Sequence, residues 1–387
     1  MDGDSAVDVT ESRSWRIHPS VSVYPHMGCP RYKAGRCALQ APIGARPITH
    51  VLSLPSRSAC RCGLSNRPGV RGRRLSMRII AIINQKGGCG KTTTAINLAA
   101  VLASAGRRTL LVDLDPQSHC AAGLAVPMPR VEYDIGDAML STPGKGFDVD
   151  RLLWRVTRNL DLAPSRTKMA GLEATRGGLA GAPERERRLS RVLEHVRTKA
   201  EGDPFEFCVL DCPPSIGLLT YNAITAAGEI IIPVETSFFS LQGATRQVAT
   251  IRSLSRRLGT RPATRLLATM HDASHALARD LRAELARRFT KAMIPVTIRL
   301  DPALRESASF GQPIIDYDPA STGAADYKAL GSWVLEQGDN TATPDTAVIE
   351  IKQTAVPLGA RRRPTGEGVS SGPKEKPGPV RRGEAVA

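Results

Sequence analysis

Aromatic side chains are scarce: Phe, Trp and Tyr supply only 4% of the 387 positions, whereas 41% of the chain is hydrophobic. A core built from such a chain is aliphatic, as buried parallel sheets of Val, Ile and Leu are. No apolar run approaches the roughly 20 residues that a membrane-spanning helix needs. Asp2, Asp4, Asp8 and Glu11 give the N-terminus no signal-peptide pattern. Arg73-Arg74-Leu75-Ser76 before Met77-Arg78-Ile79-Ile80 has the outline of a twin-arginine export signal, but its apolar run leads straight into a glycine-rich loop and the match is set aside. The eight cysteines follow no repeating spacing, which excludes a disulfide framework and predicts reduced intracellular thiols. Cys60 and Cys62 stand too close together for a CxxC metal knuckle. No internal repeat is present.

Positive charge is plentiful. Lys and Arg number 53 against 37 Asp and Glu, a formal net charge of +16. Charge of that sign favours contact with phosphate polymers or acidic surfaces. Much of it lies outside the expected fold, in Arg57, Arg61, Arg67, Arg71, Arg73 and Arg74 and again in Arg361, Arg362 and Arg363.

Residues 1–76 are rich in Arg, Pro, Ser, Gly and Cys and keep no period of 2 or 3.6, so they are expected to be a disordered basic extension. Met77 directly precedes the first convincing strand, which suggests that translation starts there. From Arg78 to about Gln337 apolar strands alternate with helical segments, the pattern of βαβ units. Strands are predicted at 78–84, 109–114, 159–163, 206–211, 229–234 and 264–270, with a short one near Ile294. Helices are predicted at 91–105, 184–198, 217–227, 240–258, 274–289 and 322–337. The expected fold is α/β, a mostly parallel sheet flanked by helices, forming one domain over 77–337. Residues 338–387 read as a flexible basic tail.

Three motifs carry chemistry. The first is Asn84-Gln85-Lys86-Gly87-Gly88-Cys89-Gly90-Lys91-Thr92-Thr93-Thr94, placed between a strand and an Ala/Leu-rich helix. Glycines let backbone N–H groups face phosphate oxygens, and a helix N-terminus adds partial positive charge. Lys91 then meets the β and γ phosphates and Thr92 can ligate Mg2+. The second motif, Leu110-Leu111-Val112-Asp113-Leu114-Asp115-Pro116-Gln117, delivers two carboxylates at a strand's C-terminal end, where open α/β sheets bind ligands. The third, Val209-Leu210-Asp211-Cys212-Pro213-Pro214-Ser215, ends a strand in the acid that holds Mg2+ through its water shell.

The loop departs from G-x-x-x-x-G-K-T, because Gln85 takes the first glycine position and a second lysine, Lys86, follows. KGGCGKTTT resembles the deviant Walker A loop of the ParA/MinD family of P-loop ATPases, and DCPPS, IIPVETSFFSLQG and GQPIIDYDPASTGAADY resemble that family's later segments in order. The resemblance covers about residues 77–337. It implies MgATP bound through Lys86, Gly87, Gly88, Cys89, Gly90, Lys91, Thr92 and Thr93, with Lys86 reaching across a nucleotide-sandwich homodimer. It assigns orientation of the attacking water to Asp115 and support of the Mg2+ network to Asp113, beside Asp211.

The resemblance further implies a cytoplasmic, nucleoid-associated ATPase of the ParA/Soj type. Its ATP dimer would bind nonspecific double-stranded DNA, and a ParB-like partner would stimulate otherwise slow hydrolysis to partition DNA or position a cargo. Where close relatives carry an arginine after the TMxD segment this chain has Ser274, and Arg299 and Arg305 are the candidate DNA contacts. His271 and His275 are expected to be surface or loop residues. Three alternatives stand beside this reading, one of them an interaction module that has lost hydrolysis, which the intact Lys91, Asp115 and Asp211 disfavour. A MinD-like membrane-cycling ATPase needs a C-terminal amphipathic helix, which Pro and Gly break here. A metabolic P-loop ligase has no use for Lys86.

Overall fold

The computed structural model describes residues 77–141, 146–173, 178–199, 203–237 and 240–338. The disordered extension expected over 1–76 and, apart from Gly338, the tail expected over 338–387 lie outside the described residues.

Eight strands form one sheet: β1 (Arg78–Ile82), β2 (Thr109–Asp113), β3 (Trp154–Thr157), β4 (Leu160–Ala163), β5 (Phe207–Asp211), β6 (Glu229–Glu235), β7 (Ala263–His271) and β8 (Met293–Arg299). Their order is β3-β4-β2-β5-β1-β6-β7-β8. All neighbours are parallel except β3, which pairs antiparallel with β4 at the edge. After β1 the chain passes to β2 on one side, runs out to the edge at β3, turns back into β4 between them, then returns to β5 beside β1 and continues the other way through β6, β7 and β8. This reversal opens a crevice at the C-terminal ends of β1 and β5, where α/β sheets place ligands.

The longer helices are α1 (Lys91–Ser104), α5 (Arg188–Lys199), α6 (Leu218–Ala226), α7 (Ser240–Arg257), α8 (Ala276–Arg288) and α11 (Thr322–Glu336). Shorter ones are α2 (His119–Ala122), α3 (Ile135–Leu140), α4 (Val149–Leu152), α9 (Ala303–Ser309) and α10 (Ile314–Tyr317). The strands alternate sides as their period of 2 requires. Ile80, Ile82, Leu111 and Val209 join the aliphatic layer under α1 and α11, while Ala81, Ile83, Leu110 and Leu210 join the layer under α5 and α6. Both faces are covered, so the central strands are apolar throughout. The layer under α1 is tight: a Cβ added to Gly331 of α11 would stand 2.3 Å from Val101 Cγ1 of α1.

The seven expected strands and six expected helices are present, with ends shifted by a few residues. β1 stops at Ile82 because Asn84 already serves the loop, and β8 runs seven residues. The unexpected strand β3 alternates half-buried and exposed positions at the sheet edge. Its four residues are too few for the period of 2 to stand out.

Candidate active site

The loop between β1 and α1 is fixed from several directions. Asn84 Nδ2 donates to the Pro233 carbonyl (2.6 Å), and Asn84 Oδ1 accepts the Lys86 N–H (3.0 Å). Thr269 Oγ1 of β7 donates to the Cys89 carbonyl (2.9 Å), tying the loop's middle to a second strand. Gly88 and Gly90 adopt φ of 71° and 88°, which a side chain would strain. A Cβ at Gly88 would meet no atom of the described residues within 4 Å, so it is the backbone conformation that favours glycine there. Helix α1 starts with neither a side-chain cap nor an acidic residue in its first turn. Its leading N–H groups and positive dipole end are thereby left for an anion.

The two lysines occupy different places. Lys91 is buried, and its Nζ donates to the Lys86 carbonyl across the loop (3.2 Å). The Lys86 side chain is 47% exposed, and its ammonium leaves its own loop to ion-pair with Glu235 at the end of β6, with Ser237 Oγ at 3.3 Å.

The carboxylates converge from neighbouring strands. Asp113 and Asp211 are register partners at the ends of β2 and β5, and both are fully buried. Asp113 Oδ1 accepts the Asp115 N–H (2.9 Å) and its Oδ2 the Cys120 N–H (3.1 Å), so Asp113 holds the turn that carries Asp115. Asp115 Oδ1 accepts the Gln117 N–H (3.0 Å). Asp211 Oδ2 accepts the Cys120 thiol (3.4 Å), while Asp211 Oδ1 is buried and finds no hydrogen-bond partner among the described residues. Burial pushes the Asp211 carboxyl up to about 6, opposed by the hydroxyl of Thr92 beside it. Asp113 lies well above the usual carboxylate range, through burial first and the Asp211 charge second. A fully buried acceptor with no donor, beside a hydroxyl at a helix N-terminus, suits a hard cation.

A cavity of about 320 Å3 opens beside Thr92 and Thr93, walled by Ile96 and Asn97 of α1, His119 of α2 and Gln312. No local motif announces it, because its walls come from separate segments of the chain. Cys120 and Glu235, which contact Asp211 and Lys86, were likewise missed. Their partners are 91 and 149 residues away in the chain, beyond the reach of any local motif.

The expected nucleic-acid contacts differ from each other. Arg299 is clamped by Asp326 of α11, with Nη2 to Oδ1 at 2.7 Å and Nε to Oδ2 at 2.9 Å, so much of its charge is offset internally. Arg305 is exposed on α9. His275 is exposed and bonds Asp272 (2.8 Å). His271 is instead buried, with Nδ1 3.2 Å from Thr236 Oγ1, because β7 runs two residues beyond Thr269.

A glycine loop leading into a helix, a buried lysine inside it, and acids ending the two neighbouring strands define a P-loop nucleoside triphosphatase. A family model described as an AAA domain (AAA_31) matches residues 77–263. The sporulation initiation inhibitor protein Soj of Bacillus subtilis is 37% identical over 262 residues, 67% of this chain and 99% of Soj. Chromosome partitioning protein ParA of Caulobacter vibrioides is 35% identical over 266 residues, 67% of this chain and 95% of ParA. Among solved structures, cobyrinic acid a,c-diamide synthase from Mycobacterium smegmatis, with bound ADP and magnesium, aligns at a TM-score of 0.55 and 28% identity, covering 68% of this chain and 95% of that one. The chain belongs to the ParA/MinD family of deviant Walker A P-loop ATPases, on the side of Soj and ParA. Among the described residues no helix is long and apolar enough to cross a membrane.

Proposed function

We propose that this protein is an ATPase whose MgATP-bound form dimerises, binds nonspecific DNA and partitions DNA or positions a cargo until hydrolysis releases it. The observation that carries the reading is the division of labour between the lysines: Lys91 lies inside the loop, and Lys86 extends out of it. A loop serving one active site needs only the first; the second suits phosphates presented by another copy of the chain. The likeness to Soj and ParA, one named for sporulation control and the other for chromosome partitioning, supports the same direction.

In this reading Gly87 to Thr93 cradle the phosphates, and Lys91 neutralises the β and γ oxygens. Thr92 and Asp211 would hold Mg2+, which offsets phosphate charge when bound. Asp115 orients the attacking water in line. Asp113 positions that residue through the turn it caps, rather than serving the metal directly. Lys86 completes the partner's site. Hydrolysis is slow until a ParB-like activator engages the dimer, because a switch works through lifetime. Arg305 contacts DNA phosphates, with Arg299 contributing less, and the protein works in the cytoplasm on the nucleoid.

A metabolic reading draws on the diamide synthase, but that likeness is 28% identical against 37% for Soj. The test is binding of the full chain to random-sequence duplex DNA with ATP, ADP or no nucleotide across a salt series. Tight binding only with ATP, weakening steeply as salt rises, is expected. Equal weak binding in all three states would reject the DNA switch.

A further inference from the structure

We propose that Ser165 and Ser118 form a latch that fixes the turn carrying Asp115, which makes Ser165 a positioning residue for hydrolysis. Ser165 follows β4 and is fully buried, and Ser118 closes the turn between β2 and α2. Each hydroxyl holds the other turn's backbone. Ser165 Oγ donates to the Asp115 carbonyl (2.6 Å), Ser118 Oγ donates to the Ser165 carbonyl (3.0 Å), and the two hydroxyl oxygens stand 3.1 Å apart. The paired residues are 50 and 47 positions apart in the chain, so the latch exists only in the fold.

The segment that carries Ser165 is itself anchored. β4 pairs with β2, setting Ala163 opposite Val112. Beyond the strand the Pro164 carbonyl accepts the Ile135 N–H (3.0 Å). Arg166 donates from Nε to Asp134 Oδ2 (2.8 Å) and from Nη1 to the Val131 carbonyl (3.0 Å). Ser165 is thus a fixed post on both sides, and the Asp115 turn is tied to it.

Pairing buried polar groups is the ordinary reason for such bonds, but here it is met without the Ser165 hydroxyl. The Asp115 carbonyl already accepts the Ser118 N–H (3.0 Å), and the Ser165 carbonyl has the Ser118 hydroxyl. Alanine at position 165 would leave both carbonyls paired. Ser118 in turn adopts φ of 57°, a left-handed backbone that favours glycine, and glycine has no hydroxyl to offer Ser165. Such strain persists where its surroundings hold it, and it clusters at functional sites. With Asp113 Oδ1 on its N–H (2.9 Å) and Ser165 Oγ on its carbonyl, Asp115 is gripped at both ends of its backbone. A carboxylate that must aim a water in line needs such a hold, because small misplacements cost large factors in rate. The kinetic consequence rests on the role proposed above for Asp115; the latch itself does not.

The experiment compares the full-length wild type with Ser165→Ala, Ser118→Gly, Asp115→Ala and the Ser165→Ala, Asp115→Ala double variant. Three quantities are read: single-turnover ATP hydrolysis with Mg2+, ATP affinity, and hydrogen exchange of the amide at position 118, corrected for its intrinsic rate. Ser118→Gly removes a hydroxyl while relieving the backbone, so it decides the matter should Ser165→Ala unfold. Each latch variant is expected to exchange that amide about threefold faster or more. Each is expected to hydrolyse ATP about tenfold more slowly, with ATP affinity within about twofold of wild type. In the Asp115→Ala background, Ser165→Ala is expected to slow hydrolysis no further, since nothing is left to position. Wild-type exchange or hydrolysis in the latch variants, a loss of affinity matching the loss of rate, or an equal slowing in the Asp115→Ala background would overturn the proposal. Undiminished hydrolysis in Asp115→Ala alone would remove the role given to Asp115, and with it the kinetic effect, while the exchange rates still decide the latch.

Discussion

The ammonium of Lys86 is ion-paired with the Glu235 carboxylate, joining the phosphate loop to the end of β6. Both side chains are substantially exposed, at 47% and 30%, so solvent screening limits the pair to about 1 kcal/mol or less. A contact that weak gives way easily when Lys86 is offered phosphate oxygens. Glu235→Gln is expected to leave folding unchanged and to strengthen ATP-dependent self-association by at most about fivefold, the equivalent of that energy. Weaker self-association in analytical ultracentrifugation would show that Glu235 assists the assembly instead.

Asp115 stands on a turn held by Asp113 and is itself bonded to Gln117. In the proposed function Asp115 orients the attacking water, so replacing it with alanine would remove that group and leave the phosphate cradle whole. ATP binding is expected to persist while single-turnover hydrolysis falls about 100-fold or more. Loss of ATP binding in equilibrium dialysis would instead make Asp115 part of the cradle.

Burial raises the Asp211 carboxyl from 3.8 to about 6. The folded, metal-free protein therefore holds this proton more tightly than the unfolded chain does. Its stabilising effect is present at low pH and is lost as pH rises through about 6. A rise of about two units corresponds to about 3 kcal/mol. In the absence of nucleotide and metal, Asp211→Asn is expected to melt above wild type at pH values well over 6 and to approach it in the ordinary carboxyl range. The same variant should lose Mg2+-dependent hydrolysis. Parallel melting curves at all pH values would contradict the assignment of the shift to this group.

Gly331 faces Val101 so closely that a methyl group would stand 2.3 Å from its Cγ1. Gly331→Ala normally favours a helix, yet overpacking here is expected to cost about 1–3 kcal/mol in urea denaturation. An increase in stability would mean that α1 and α11 separate without penalty.

How much was legible depended on how local each signal is. Lys91, Thr92 and the glycines were readable because the loop's chemistry is written in consecutive residues between a strand and a helix. Asp113 and Asp211 were readable as strand-end acids, but their direct juxtaposition needed β5 to be inserted beside β2, a matter of sheet order. Both oxygens of Asp113 are taken by backbone N–H groups, which its motif could not reveal. Arg299, at the end of β8, reads as a free cation because its partner Asp326 follows it by 27 residues, on helix α11. Strand β3 escaped notice because four residues at a half-exposed edge carry too little periodicity.

Sedimentation of the full chain and of Lys86→Ala, each with ATP or ADP and Mg2+, tests most directly whether the exposed lysine makes nucleotide a dimerisation switch. Wild type is expected to be a dimer with ATP and a monomer with ADP, whereas Lys86→Ala binds ATP and stays monomeric in both. A wild type of one mass in both nucleotides, or a Lys86→Ala protein that dimerises with ATP as well as wild type does, would contradict it.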